Sequence, residues 1–230
     1  MSDFKAINLH HKQQDVHQIR RPRHGHVRYR MASQLWPDVA VPAQVLEVGC
    51  GRAEYARALR DLGHTVTVTD LSPSNVEAAR ELGFTAHQLD LNLGLPVFTD
   101  ELFDVAVILE VIEHVVAAEF LLQEIQRVLK PGGYLILSTP NFAFWQNRIR
   151  ILWGQLSHDE GYHYRFFTVK SLSKQLQAAG FSVQDWRFTM PAFGINLVRR
   201  WLGKTGRKHL GLPQWSAPLL AQTMIVRAVK

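Results

Sequence analysis

Along the middle of the chain, hydrophobic positions switch between a period of two and a period near 3.6. Residues 44–48 form a short apolar run that stops at Gly49, and residues 53–62 then place Ala56, Leu59 and Leu62 at helical spacing before Gly63. Residues 65–69 alternate as a β-branched run closing on Asp70. Ser72-Pro73-Ser74 opens a helix, because proline is favoured in the first turn, and Gly83 ends it after Leu82. Residues 85–89 and the wholly apolar 103–109 read as strands, 115–129 as a helix stopped by Lys130-Pro131-Gly132-Gly133, and 134–139 as a strand. Helical spacing returns at 168–179, and 181–188 and 223–229 supply two last strands. Strands alternating with helices of about 10–15 residues require right-handed crossovers. The pattern predicts an α/β fold: a doubly wound, mostly parallel, seven-stranded, Rossmann-like sheet with helices on both faces.

Residues 1–36 show no sustained period and read as a basic N-terminal arm or capping helix, ordered from Arg28 to Trp36. The α/β domain then occupies 37–230, with inserts on the substrate side at about 141–167 and 190–222.

Composition narrows the class. A chain of 230 residues with 47% hydrophobic and 20% charged residues supports one substantial core and excludes disordered, collagen-like and coiled-coil readings. Its one cysteine, Cys50, cannot form an internal disulfide, the first residues lack the apolar run of a secretory signal, and no stretch approaches about 18 apolar residues. These features point to a cytoplasmic protein.

The net charge of +6 is unevenly spread. Residues 1–31 carry seven Lys and Arg against two Asp, net +5; residues 32–140 carry six against fifteen acids, net −9; residues 141–230 carry thirteen against three, net +10. Basic character therefore belongs to the flanks, where it concerns an anionic acceptor or surface and not the core chemistry.

The most informative segment is Glu47-Val48-Gly49-Cys50-Gly51-Arg52-Ala53, a strand running through a glycine turn into a helix. A dinucleotide fingerprint would carry a small residue at its sixth position to leave room beside a pyrophosphate, but Glu54 stands there, and no P-loop is present. A ligand with a ribose and no phosphate chain fits better. Asp70, at the end of the second strand, can accept from both ribose hydroxyls, Asp90 after the third can accept from an exocyclic amine, and Glu47 beside them suits a cation. S-adenosylmethionine has all three groups. Cys50 reads as a turn filler, since no histidine lies near it in sequence.

Glu47-Val-Gly49-Cys-Gly51, Asp70, Asp90-Leu91, Phe103-Asp104-Val105 and Leu129-Lys-Pro131-Gly132-Gly133 follow in order over about residues 43–140, and together they resemble the class I S-adenosylmethionine-dependent methyltransferases. The resemblance implies that Gly49, Cys50 and Gly51 pass under the cofactor's amino-acid end. It also implies that Asp70 and Leu71 flank the ribose, that Asp90 and Leu91 meet the adenine, and that Glu110 faces the methionine end. Ala53 departs from the third glycine that many members carry.

Glu110-Val111-Ile112-Glu113-His114 follows the apolar fourth strand. On a helix its two carboxylates and imidazole would share one face, at i, i+3 and i+4. His114 could act as general base, or Glu110, Glu113 and His114 could hold a divalent metal, with His158, His163 or Asp159 as a further ligand; the plain alternative is acids favouring a helix N-terminus. Similar segments occur in ubiquinone-biosynthesis O-methyltransferases and in small-RNA 2′-O-methyltransferases. His114 and His163 are the catalytic candidates, with no metal as the preferred reading.

Beyond the cofactor half, His163-Tyr164-Arg165-Phe166-Phe167-Thr168 offers Thr168 as a helix N-cap and both phenylalanines as core anchors. The run from Phe142 to Trp153, interleaved with Arg148 and Arg150, could line a lipophilic pocket, touch a membrane interface, or pack on the domain with solvated arginines. These features, with the pairing Pro140-Asn141, resemble small-molecule methyltransferases of the ubiquinone- and methionine-biosynthesis type. The expected reaction is methyl transfer from S-adenosylmethionine to a small-molecule oxygen, leaving S-adenosylhomocysteine. The rivals are an RNA methyltransferase, although no RNA-binding module is recognisable, and a non-catalytic cofactor-binding scaffold.

Overall fold

The computed structural model describes residues 25–155, 163–191, 209–211 and 217–230. The arm before residue 25, the basic run at 199–208, and His158 with Asp159 lie outside the described residues.

Strands β1 (Gln44–Val48), β2 (Thr65–Asp70), β3 (Thr85–Gln88), β4 (Phe103–Leu109) and β5 (Leu129–Pro140) pair in parallel. With β6 (Ser182–Pro191), β7 (His209–Gly211) and β8 (Thr223–Val229) they form one eight-stranded sheet in the order β3-β2-β1-β4-β5-β8-β6-β7. β8 runs antiparallel between β5 and β6. The seven strands predicted from periodicity are all present. The eighth, β7, is three residues long, too short to show a period.

β4 shows why the sheet is covered on both sides. All of its apolar residues are buried, as a central parallel strand requires. Ala106 and Ile108 join a core with Leu121, Leu122 and Ile125 of α4 (Ala118–Val128) and Leu172 and Leu176 of α6 (Val169–Ala178). Val105, Val107 and Leu109 point the other way, toward Met31 of α1 (Gly25–Gln34) and Leu35 just after it, Tyr55 and Leu59 of α2 (Glu54–Asp61) and Val76 of α3 (Pro73–Glu81). Two further helices, α5 (Trp145–Leu152) and α7 (Ala217–Leu220), lie after β5 and before β8. No helix among the described residues is long and apolar enough to cross a membrane.

The sequence places both Phe166 and Phe167 in the core, and the structure corrects half of this. Phe167 is buried, whereas Phe166 is 50% exposed and tilts against Phe142 at 4.8 Å. Adjacent residues on an extended segment point to opposite sides, so only one of the pair can face inward. Thr168 does cap α6: its Oγ1 accepts from the Ser171 amide at 3.1 Å, and Ser171 Oγ accepts from the Thr168 amide at 2.8 Å.

Helix α4 is capped from a distance. Ala117, its N-cap, has no capping side chain, and the amides of Val116 and Ala117 donate instead to Asn92 Oδ1 at 2.9 and 3.1 Å. Asn92 belongs to a single 3₁₀ turn, Leu91–Leu93, whose N-cap Asp90 accepts from the Asn92 amide and from Asn92 Nδ2. The carboxylate after β3 is thereby tied to the helix after β4. Replacing Asn92 by Ala removes the acceptor of two amides, so urea unfolding of that variant should show a loss of about 1–2 kcal/mol with an unchanged denaturant slope.

Candidate active site

The predicted cofactor residues all stand at the carboxyl ends of β1 to β4, the edge of an open α/β sheet where ligands bind. The turn from β1 into α2 is left-handed at Gly49 (φ 73°), Gly51 (φ 53°) and Ala53 (φ 53°). A Cβ on Gly49 would lie 2.4 Å from Cγ2 of Val111, so the turn presses directly on the segment after β4. At Gly51 a Cβ would meet nothing within 4 Å, which leaves that backbone open to a ligand. Ala53 adopts its left-handed conformation with the side chain fully buried, so the position where a third glycine was expected serves packing on the helix side.

Three consecutive amides of this turn are held by the end of β2. Gly49 and Cys50 donate to the Thr69 carbonyl at 2.8 and 2.9 Å, and Gly51 donates to Asp70 Oδ2 at 2.8 Å. Asp70 Oδ1 accepts from the Ser72 amide at 2.9 Å and from Asn75 Nδ2 at 3.1 Å. The Asp70 carbonyl accepts from Leu89, which brings Asp90 alongside. Leu71 is partly buried and Leu91 buried, flanking the two aspartates. Cys50 is buried, and burial followed by the charges of Asp70 and Glu47 pushes its thiol up to about 12, which fits a turn filler and not a nucleophile.

Glu47 is 4% exposed, and its Oε2 has no hydrogen-bond partner among the described residues. Burial raises its carboxyl to about 8, with the Asp70 charge adding to the rise and the Ala56 amide and Arg28 opposing it. Glu110 is raised by burial against a hydrogen bond from Ser138, whose Oγ donates to Oε1 at 2.7 Å. Glu113 is buried and raised well above the usual carboxylate range, first by burial and then by the charge of Glu110, although Thr139 Oγ1 donates to it at 3.1 Å.

The Glu110–His114 segment is not the helix expected from its spacing. Glu110 turns left-handed at φ 57°, its amide donating to both the carbonyl and the Oγ of Ser138, and one 3₁₀ turn, Ile112–His114, follows. Glu110 still acts on Glu113 through its charge but does not share a donor cluster with Glu113 and His114, and a different residue joins them. The rings of His114 and His163 meet edge to face at 4.7 Å, and the ligand atoms of Glu113, His114 and His163 all lie within 4.8 Å of one another. His114 Nε2 is 4.0 Å from Glu113 Oε1.

Two residues of the site escaped the sequence reading. Arg28 on α1 brings a positive charge felt by Glu47, Glu110 and Glu113. No signal sets it apart from the other arginines of the arm. Arg165 fixes the irregular segment that carries His163: its guanidinium donates to the Val116 carbonyl at 2.6 Å and to Glu119 at 2.7 Å, while the amides of Tyr164 and Arg165 donate to the Glu113 carbonyl.

This acid-lined cradle has counterparts among known proteins. A family model described as a methyltransferase domain matches residues 17–185. The chain belongs to the methyltransferase domain family. Its cofactor is S-adenosylmethionine, and the site passes the test that such a cation sets: a buried carboxylate oxygen without a partner at Glu47, and open backbone at Gly51. The methyltransferase chain is 29% identical over 143 residues to a ubiquinone biosynthesis O-methyltransferase of Cereibacter sphaeroides, a match covering 58% of each protein, so it spans little more than half of that relative's length. In fold it is similar to an S-adenosylmethionine-dependent methyltransferase of Mesorhizobium loti (TM-score 0.67, 18% identity, 90% of this chain and 100% of that one). It is also similar to the 1,6-didemethyltoxoflavin-N1-methyltransferase of Burkholderia thailandensis, solved with S-adenosylhomocysteine (TM-score 0.59, 20% identity, 100% of this chain and 86% of that one).

The raised carboxyl of Glu47 has a stability consequence of definite sign. The unfolded chain releases this proton near pH 4.5, whereas the folded protein keeps it to about pH 8. The contribution of Glu47 to stability is therefore whole at low pH and is lost progressively as pH rises through that window. Urea midpoints measured across it should fall less steeply for Glu47→Gln than for the parent chain.

Proposed function

We propose that the chain transfers the methyl group of S-adenosylmethionine to an oxygen atom of a small-molecule acceptor, releasing S-adenosylhomocysteine. The observation that carries this reading is the meeting of His114 and His163, 49 positions apart in sequence, at the strand ends beside the cofactor residues.

Bound there, the cofactor supplies a methyl group already activated on a sulfonium. What remains for the protein is to position it and to manage one proton. Asp70 would hold the ribose hydroxyls with Leu71 against the sugar, and Asp90 with the Leu91 amide would hold the adenine. The Gly49-Cys50-Gly51 backbone would pass under the methionine end, with Glu47 and Glu110 as its acidic partners. A phosphate-bearing ligand would meet these carboxylates as like charges.

His114 is 35% exposed on its side chain, enough to reach an acceptor, and takes the hydroxyl proton at an imidazole nitrogen as the oxygen attacks. Glu113 Oε1 lies 4.0 Å away, and its raised carboxyl ionises more readily once an imidazolium forms beside it. His163 stands edge-on to the same ring and orients it. The similarity to proteins named ubiquinone biosynthesis O-methyltransferase supports oxygen as the accepting atom.

Incubating the protein and methyl-labelled cofactor with a metabolite extract should label a small molecule on oxygen; label on nitrogen or carbon would refute the assignment. In calorimetry Asp70→Ala should weaken cofactor binding by roughly 10- to 100-fold. His114→Ala should lower kcat by about 10²- to 10⁴-fold while cofactor affinity stays unchanged, and an undiminished kcat would remove the histidine from its role as base.

The Glu113, His114 and His163 cluster favours a second reading. One carboxylate and two imidazoles within 4.8 Å form a donor set for a divalent ion, which would acidify the acceptor hydroxyl and relieve His114 of the proton. Transfer that collapses on chelation and returns with added divalent metal would establish this route. Turnover indifferent to chelator would leave His114 as the base.

A further inference from the structure

We propose that helix α5 is a docking surface for an anionic lipid bilayer. This goes beyond methyl transfer and does not depend on it.

One side of the helix is fastened to the domain. Asn147, the helix residue that is buried, donates from Nδ2 to the carbonyls of Phe142 and Asn141, and Phe144 just before the helix is buried. The opposite side carries Trp145, Ile149 and Leu152 at i, i+4 and i+7, with Trp153 following. Leu152 is 84% exposed and Trp153 79%, and Ile149 and Ile151 are close to half exposed. An amphipathic helix ordinarily turns such residues to the core. Here the arrangement is inverted, with the polar asparagine inside and the large apolar side chains in water.

The chemistry around this ridge identifies its occupant. Residues 141–155 contain no Asp or Glu, and the exposed Arg148 and Arg150 stand beside the apolar side chains, within a C-terminal third whose net charge is +10. Tryptophan with arginine at the edge of an aliphatic ridge suits the headgroup boundary, where an interfacial helix sinks about 5–10 Å and its cations meet lipid phosphates. A protein partner fits less well, because a specific interface covers about 1,000 Å² or more of matched surface, whereas this is a narrow convex ridge of two turns. The helix follows within five residues of the end of β5 at Pro140, next to Thr139, whose hydroxyl donates to Glu113, so it is rooted at the strand-end edge of the sheet.

Vesicle sedimentation of the full chain tests this without any turnover. Equimolar phosphatidylcholine and phosphatidylglycerol should capture the protein roughly tenfold better than phosphatidylcholine alone, and salt should weaken the capture. The double variant Leu152→Glu with Trp153→Glu should lose binding, and Arg148→Glu with Arg150→Glu should lose the preference for anionic lipid, both with parental melting temperature and cofactor affinity. Quenching of tryptophan fluorescence by brominated phosphatidylglycerol, reduced in Trp153→Phe, reads insertion through a variant that leaves the fold intact. No capture by anionic vesicles would overturn the proposal, as would capture that the double glutamate variant leaves unchanged. If the parent ignores vesicles and light scattering finds an oligomer that the glutamate variant dissolves, the face joins copies of the chain and the proposal falls.

Discussion

The end of β2 holds the cofactor turn in place. Thr69 contributes its carbonyl to the amides of Gly49 and Cys50, and Asp70 contributes a carboxylate oxygen to the amide of Gly51. These bonds exist because β1 and β2 run parallel with Val48 opposite Thr69, so the two strands finish at the same level. The turn can then be left-handed at alternate positions, Gly49, Gly51 and Ala53, a conformation that costs energy wherever a side chain is present and that needs outside support. On its other flank Val111 presses on Gly49, which ties the turn to the end of β4 as well. Sheet register, turn and ligand edge form one connected structure, in which Asp70, the residue proposed to hold the ribose, also shapes the loop.

Around that turn the protein gathers acids where desolvation opposes their charge. Glu47, Glu110 and Glu113 are all raised, in each case chiefly by burial, and Arg28 relieves all three only in part. A cation entering such a site gains from each carboxylate that ionises, and the carboxylates gain in return. The cost of burying these acids favours a positively charged ligand over a phosphate-bearing one. Part of the acidic character of the chain's middle is gathered here, and Arg28 of the basic N-terminal segment is directed at it.

How much of this was legible in sequence follows from what each feature depends on. Gly49, Gly51, Asp70 and Asp90 each sit at the end of a strand that periodicity alone delimits, so their gathering at one edge follows from the parallel sheet. The meeting of His114 with His163 depends on the path of the insert between them, which bonds of Arg165 to Val116 and Glu119 determine. Nothing in the spacing of 49 residues carries that information. Glu110 misled for a different reason: i, i+3, i+4 spacing implies a shared face only if the backbone is helical, and one left-handed residue breaks the relation. Arg28 lay within the stretch expected to be ordered, but its partners are buried acids far along the chain, and its own neighbourhood is uniformly basic.

The insert after β5 shows how a segment can be held firmly at its roots and still present an apolar helix to water. At one root the Asn141 amide donates to the Gln222 carbonyl and its side chain to that of Ala221. At the other, Phe167 is buried and its carbonyl accepts from the Phe142 amide, closing the insert on itself. His163 is delivered to Glu113 by this second root. With both roots satisfied by hydrogen bonds and aromatic burial, packing of α5 on the domain is not needed to hold the insert in place. Its apolar side is therefore not accounted for by stability of the fold, since residues kept only for solubility would be polar there. An exposed Leu152 and Trp153 beside two arginines are better explained by what the helix meets outside the domain than by anything it supports within it.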